Sequence, residues 1–169
     1  VFHQDGSMYV VGFRGWQTNA AKEAGLQRIR RNEEEANPLP TAMEVTREGI
    51  KLTFDVALDD ELASDPTSFT AKRWKYIRGP QYGSGQFSVD NPDEAAEKNA
   101  INKESKNHRK PDTVKITAAK LGADKKSVLL TVEGHKPSQQ FKLDYDLEST
   151  AGDEIIGTIH STIHKVPGK

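Results

Sequence analysis

Residues 49–56 read Gly49-Ile50-Lys51-Leu52-Thr53-Phe54-Asp55-Val56, with an apolar side chain at every second position from Ile50 onward. Side chains of a β-strand point alternately to the two faces of its sheet, so this period predicts a strand with one buried face. The same period returns in residues 140–147. Helical spacing is suggested only near residues 95–100, and the pattern therefore predicts an all-β fold.

Further strands are predicted wherever an apolar run lies between turn-forming residues. The additional segments are 42–46, 68–76, 86–89, 113–121, 127–132 and 155–164. Residues 113–121 and 127–132 are expected to pair as a hairpin, and a single helical turn is expected before Pro66. About seven short strands separated by turns are typical of a sandwich. The sequence predicts an immunoglobulin-like antiparallel β-sandwich over residues 41–169, preceded by an N-terminal β-hairpin appendage.

The appendage is predicted in residues 1–31. Asp5-Gly6 is a turn dipeptide, residues 8–13 suit a strand, and Leu26 and Ile29 suit a second one. Two strands alone are marginally stable in water, so this hairpin must pack against something else. Residues 32–40 are charged and then proline-rich, which is typical of a linker.

Charge and composition argue against several classes of function. The 24 basic and 25 acidic residues give a net charge of -1, so no overall field would attract nucleic acid or an anionic membrane. The chain has no cysteine, which excludes disulfides and zinc–cysteine sites. No apolar run approaches the roughly 18 residues of a membrane helix. We expect neither nucleic acid nor a membrane as a partner.

Aromatic residues give the first candidate binding site. Trp74 and Tyr76 lie two apart on a predicted strand and share a face, and the glycine-rich turn 79–85 can bring Tyr82 close to them. A flat, exposed aromatic platform would stack on a sugar ring, which makes a carbohydrate-binding module the alternative function. The favoured interpretation is that these aromatics are core residues, because a tryptophan packed between two sheets is expected in such folds.

Metal binding is the second possibility. Asp90, Asp93 and Glu94 place several hard oxygens in one loop, the ligand type that calcium prefers, although their spacing fits no EF-hand. His160 and His164 lie four apart, which on a strand separates them by about 13 Å and does not favour a shared metal. A metal-dependent enzyme would need both histidines to turn inward with carboxylates. No serine, threonine or lysine has an identifiable neighbouring base, so no nucleophile is assigned.

The segments 49–54, 124–132 and 141–143, together with Gly152, resemble bacterial immunoglobulin-like domains that follow larger domains in secreted proteins. The resemblance implies a spacer or support role. It also implies that the partners of this module are the neighbouring domains of its parent chain.

The opening residues 5–12, with residues 14–19 and 28–30, resemble the final blade of a β-propeller of the glucose/sorbosone dehydrogenase type. Such propellers occur in large multidomain secreted proteins of planctomycete-like bacteria. The resemblance implies that residues 1–31 are a blade remnant, that the protein is secreted or periplasmic, and that its parent is a quinoprotein-type sugar dehydrogenase.

That family's quinone-binding and catalytic residues would lie in earlier blades. Its haem-attachment Cys-x-x-Cys-His has no counterpart in a chain without cysteine. The resemblance therefore implies no catalytic residue and no cofactor here. Calcium is left possible by the oxygen-rich loop at Asp90, Asp93 and Glu94 alone. Trp16 is expected to pack at the domain junction, and the long polar loop within residues 79–112 is expected to be functional or mobile.

Overall fold

The computed structural model describes residues 3–4, 6–13, 24–30, 39–80, 83–102 and 109–168. The chain divides into two compact units, Val1–Glu35 and Ala36–Lys169.

The first unit contains an antiparallel pair of strands, β1 (Met8–Phe13) and β2 (Ala24–Ile29). Val11 lies opposite Leu26 and Met8 lies opposite Ile29, which fixes the register along the whole pair. The predicted N-terminal hairpin is therefore confirmed.

The second unit contains eight strands and two short helices among its described residues. The strands are, in chain order, β3 (Ala42–Val45), β4 (Gly49–Thr53), β5 (Phe69–Trp74), β6 (Asp112–Val114), β7 (Ile116–Leu121), β8 (Ser127–Val132), β9 (Ser138–Glu148) and β10 (Glu154–Ile163). The helices are α1 (Asp60–Ser64), followed by a 3-10 turn at Pro66–Ser68, and α2 (Glu94–Asn102).

The eight strands form two four-stranded antiparallel sheets with the orders β3-β4-β8-β7 and β10-β9-β5-β6. Apolar side chains from both sheets meet in one core. The largest of its fully buried side chains are Tyr145, Phe54, Phe141, Ile50, Leu52, Leu130 and Leu143. The chain is thus an all-β sandwich with a separate hairpin, and the predicted fold class is confirmed at that level.

One predicted strand is divided in two. Residues 113–121 were expected to form a single strand, but β6 pairs with β5 in one sheet and β7 pairs with β8 in the other. Lys115 alone joins them, so the chain crosses between the sheets at this residue. The expected hairpin with residues 127–132 is confirmed only for β7, which carries a register irregularity between Ile116 and Ala118.

Asp59 and Asp65 cap the two short helical segments that precede β5. Asp59 Oδ1 accepts hydrogen bonds from the backbone N–H groups of Glu61 and Leu62, both at 3.0 Å, and so begins α1. Asp65 accepts from the backbone N–H of Thr67 at 2.8 Å. This hydrogen bond lowers the pKa of Asp65.

Gly157 occupies a position on β10 where only glycine fits. It lies directly opposite Tyr145 in the β9–β10 ladder. A Cβ at Gly157 would come 2.2 Å from the Tyr145 hydroxyl oxygen and 2.5 Å from Cζ. The tyrosine ring therefore fills the space that a side chain would take, a known way of supporting a strand glycine.

Candidate functional site

Trp74 lies on the outer face of the β10-β9-β5-β6 sheet. Along β5, Phe69 and Ala71 point into the core, so Thr70 and Trp74 belong to the opposite face. The indole is nevertheless only 5% exposed. Trp74 is therefore buried, as the favoured interpretation expects, but the alternation of β5 places it on the outer face of the sheet and not between the two sheets.

Two other rings on the outer face pack against Trp74 edge to face. The ring centroids of Trp74 and Tyr76 are 6.4 Å apart with an angle of 87° between their planes. Those of Trp74 and His160 are also 6.4 Å apart, at 76°. Tyr76 is 42% exposed. These rings share no common flat face, so Trp74 and Tyr76 do not form the coplanar exposed pair that stacking on a sugar requires.

Polar side chains fix this aromatic cluster in place. The Tyr76 hydroxyl donates to Gln140 Oε1 at 3.3 Å, and Gln140 Nε2 lies 3.3 Å from His160 Nδ1. The backbone N–H of Tyr76 donates to Gln139 Oε1. Trp74 Nε1 is buried without a hydrogen-bond partner among the described residues. The third predicted platform residue, Tyr82, lies outside the described residues.

A buried arginine organises the same end of the sandwich. Arg73 is 5% exposed, and its Nη1 donates to the Gly134 carbonyl oxygen at 2.7 Å. Its Nη2 donates to both carboxylate oxygens of Asp90, at 2.7 and 2.8 Å. Lys136 forms a second ion pair with Asp90. The arginine therefore joins β5 to the β8–β9 turn and to the loop that carries Asp90.

Opposing effects set the charge state of Asp90. Desolvation by partial burial acts to raise its pKa, but hydrogen bonds and positive charge from Arg73 and Lys136 outweigh it and lower the pKa overall. The sequence reasoning missed Arg73. A usable signal was present, because the alternation of β5 puts this arginine at an inward position after Phe69 and Ala71.

Asp112 holds the loop in which the calcium ligands were predicted. Its carboxylate accepts hydrogen bonds from the backbone N–H of Val89 at 2.7 Å and of Asp90 at 3.0 Å. It also accepts from the hydroxyl of Ser88, which in turn accepts from the N–H of Asn91 at 2.8 Å. Residues 88–91 are therefore an ordered part of the sandwich end and not a featureless loop.

The three predicted calcium ligands have separate roles in the structure. Asp90 is ion-paired, Asp93 Oδ1 accepts from the backbone N–H of Ala96 at 3.0 Å at the start of α2, and Glu94 lies in the first turn of that helix. A depression of about 720 Å³ is lined by Asp90, Asp93 and Asp112, whereas Glu94 is not part of its lining. Within the described ranges, no three histidine or carboxylate side chains are grouped closely enough to hold a metal ion. Calcium binding remains a prediction.

The remaining residues to be placed are the histidines and Trp16. His160 contributes its ring to the aromatic cluster, whereas His164 lies beyond the end of β10 beside a cleft of about 350 Å³. His135 is only 3% exposed in the turn between β8 and β9. Trp16 lies outside the described residues, so its expected place at the domain junction remains a prediction.

Comparison of the chain with protein-family models, with curated proteins and with solved structures found no match. In the described part of the chain, no helix is both long and apolar enough to cross a membrane. Functional inference therefore depends on the geometry of the chain itself.

Proposed function

We propose that this chain is a non-catalytic support module of a larger exported, dehydrogenase-like protein. In this proposal the hairpin unit belongs to a neighbouring propeller-type β domain, and the sandwich spaces that domain from others. The observation that carries the proposal is the distribution of apolar side chains over both faces of the hairpin.

The β1–β2 pair exposes large apolar side chains on each of its two faces. Val11 and Leu26 are cross-strand partners on one face and are 76% and 69% exposed. Val10 and Ile29 lie on the other face and are 37% and 46% exposed. A hairpin with one solvent face would alternate apolar and polar residues instead. This pair is therefore suited to lie between two further layers.

A propeller blade has such surroundings, because each blade is a small sheet packed between its neighbours. A lone two-stranded sheet is at best marginally stable in water, and it gains stability by joining a larger β structure. Both arguments support a hairpin that completes a blade of the parent protein.

The sandwich supports the spacer part of the proposal. Named from its first strand, the order β3-β4-β8-β7 corresponds to A-B-E-D, and β10-β9-β5-β6 places strands G, F and C side by side. This is the arrangement of immunoglobulin-type sandwiches, and it supports the immunoglobulin-like interpretation. The Arg73–Asp90 ion pair and the hydrogen bond from Arg73 to the Gly134 carbonyl hold one end of the module together, which suits a rigid connecting role.

The proposal is tested by the size and the cellular location of the natural protein that contains this sequence. An antibody raised against residues 36–169 should detect a polypeptide much larger than these 169 residues, in the periplasmic or culture fraction of the native cells. Peptide mapping of that band should place residues 8–29 within a longer chain that also contains propeller-type sequence. A native product no larger than the 169-residue chain, or one confined to the cytoplasm, would overturn the proposal.

A further inference from the structure

The outer edge of β10 is the longest sheet edge in the described part of the sandwich. β10 pairs with β9 along one side, and no other described strand pairs with its second side. From Glu154 to Ser161 the ladder with β9 is regular, and its irregularity comes only after Ser161. About every second residue of such a strand directs its N–H and C=O groups away from the paired neighbour. β10 therefore presents a straight row of backbone donors and acceptors.

Over its regular part, Glu154–Ser161, β10 also lacks the usual protection of an edge strand. Natural edges are blunted by lysine, proline, bulges or short length. Residues 154–163 contain no lysine, arginine or proline, and Ile156 is 54% exposed. The segment is rich in isoleucine and threonine, which favour strand pairing. This composition is typical of a strand that pairs with another strand.

The other three edges of the sandwich differ from β10 in these respects. β3 has four residues and β6 has three. β7 has six residues, against ten in β10, and it carries a lysine, Lys120, near its end. The contrast within one molecule singles out β10 as the edge available for pairing.

We propose that two copies of this chain associate through antiparallel pairing of their β10 strands. The pairing joins the two β10-β9-β5-β6 sheets into one continuous eight-stranded sheet, with a twofold axis at Gly157. The occupant is a second copy because the side chains of β10 complement one another when the strand is reversed about that residue. The inference does not depend on the proposed support role.

The Gly157-centred register matches side chains by polarity and by shape. Glu154 of one copy faces His160 of the other, so a carboxylate lies opposite an imidazole, which is a polar cross-strand pair. Ile155 faces Ile159, and the exposed Ile156 faces Thr158. The register brings no pair of like charges together. A register in which the faces of the two sheets are flipped would instead place core-facing residues beside exposed ones.

The association is tested by sedimentation velocity over a concentration series of the full chain. The variant Ile156→Lys/Thr158→Lys places lysine opposite lysine at two symmetry-related points and should raise the dimer dissociation constant at least about tenfold. The matched control Ala42→Lys/Glu44→Lys also adds two lysines at exposed alternate positions, but on the β3 edge, and should leave the dimer unchanged. Thermal melting confirms that each variant is folded.

Dimers can also form through the exposed hairpin, so that route is tested separately. The variant Val11→Ser/Leu26→Ser removes the two most exposed apolar side chains among those described on β1 and β2. Our inference requires that this variant still dimerise. It is overturned if the hairpin variant is monomeric, if the β10 variant dimerises as well as the original chain, or if the original chain is monomeric up to about 1 mM, the weak end of specific association.

The register has its own test, because the chain contains no cysteine. An equimolar mixture of the Glu154→Cys and His160→Cys variants should form disulfide-linked dimers on mild oxidation, since directly opposed strand residues are close enough for a disulfide. Each variant alone should not, because identical positions lie six residues apart along the strands, about 20 Å. Equal linkage in the single variants, or none in the mixture, contradicts the Gly157-centred pairing.

Discussion

At Arg73, the alternation of β5 places a charged side chain on the face that Phe69 and Ala71 use for the core. The buried charge is tolerated because the guanidinium donates hydrogen bonds both to the Gly134 carbonyl oxygen and to the Asp90 carboxylate. Removing one partner of a buried ion pair usually destabilises a protein more than the pair itself stabilises it, because a charge is left uncompensated. The network is therefore a sensitive point at one end of the sandwich.

The Asp90→Asn variant should lose stability in a pH-dependent way. Arg73 and Lys136 outweigh desolvation and lower the pKa of Asp90 in the folded protein, so the ionised carboxylate stabilises the fold above its unfolded-state pKa of about 3.9. That contribution is lost as the pH falls through the lowered folded-state pKa. We expect the variant to be less stable by about 1 kcal/mol near neutral pH, since Asp90 is partly solvated.

Urea unfolding of the original chain and of Asp90→Asn across the acid range measures this difference. The two stabilities should converge as the pH falls below about 4. The matched control is Asp146→Asn, which changes an exposed carboxylate on β9 and should have a small effect. A difference between Asp90→Asn and the original chain that stays constant with pH would show that the carboxylate charge is not what stabilises this end.

Replacing Gly157 by alanine should destabilise the sandwich by about 1–3 kcal/mol, the usual range for overpacking. The new Cβ would lie 2.2 Å from the Tyr145 hydroxyl oxygen, so the ring or the strand must move. Gly49→Ala should cost more, because its Cβ would lie 2.0 Å from the backbone oxygen of Leu130, which cannot rotate away. Ile156→Ala, at an exposed neighbouring position, is the control and should change stability by only about 0.5 kcal/mol. Chemical denaturation ranks the three variants, and equal stabilities would contradict the packing shown here.

Among the elements, α1 depends on its cap more than on its length. It has five residues, and Asp59 satisfies two of its free backbone N–H groups. The Asp59→Ala variant should lose about 1 kcal/mol, while Asp59→Asn should lose only a few tenths because asparagine caps nearly as well. Thermal unfolding of the two variants measures the contrast. If both lose the same amount, the charge of Asp59 and not its capping geometry is responsible.

The apolar pattern of the sequence predicts the positions of the strands but not the sheet to which each strand belongs. The two-residue period located β4 and β9, because their apolar residues all face one core. It did not reveal the break at Lys115, because Val114 and Ile116 are both buried and continue the period although they belong to different sheets. Alternation reports which residues are buried, and it contains no information on which sheet buries them.

The candidate site was predicted less well than the strands for a related reason. The spacing of Trp74 and Tyr76 predicts that they lie on the same side of the chain, although Tyr76 follows the end of β5. The perpendicular packing of the rings involves His160 and Gln140, which are distant in sequence. The partners of Arg73 lie 17 and 61 residues away along the chain. Such contacts require the tertiary arrangement and leave no local pattern.

At the scale of the whole molecule, the two units should differ in local stability. Backbone amides of β1 and β2 belong to a two-stranded sheet with exposed apolar side chains, whereas β4 and β8 lie in the interior of a four-stranded sheet over a buried core. Local opening therefore costs less free energy in the hairpin. Hydrogen–deuterium exchange of the 169-residue chain should show fast exchange in residues 8–13 and 24–29 and slow exchange in residues 127–132. Equal protection of the two units would contradict this picture of the hairpin.

The crossing at Lys115 restricts how the length of this chain can change in evolution. Because a single residue joins β6 to β7, an insertion or deletion there would turn one strand over and send its core side chains to the outside. The excursion between β5 and β6 contains α2 and ordered loops and can absorb added residues at small entropic cost. In any lineage of this domain, the spacing from Asp112 to Leu121 is expected to stay fixed while the excursion grows or shrinks.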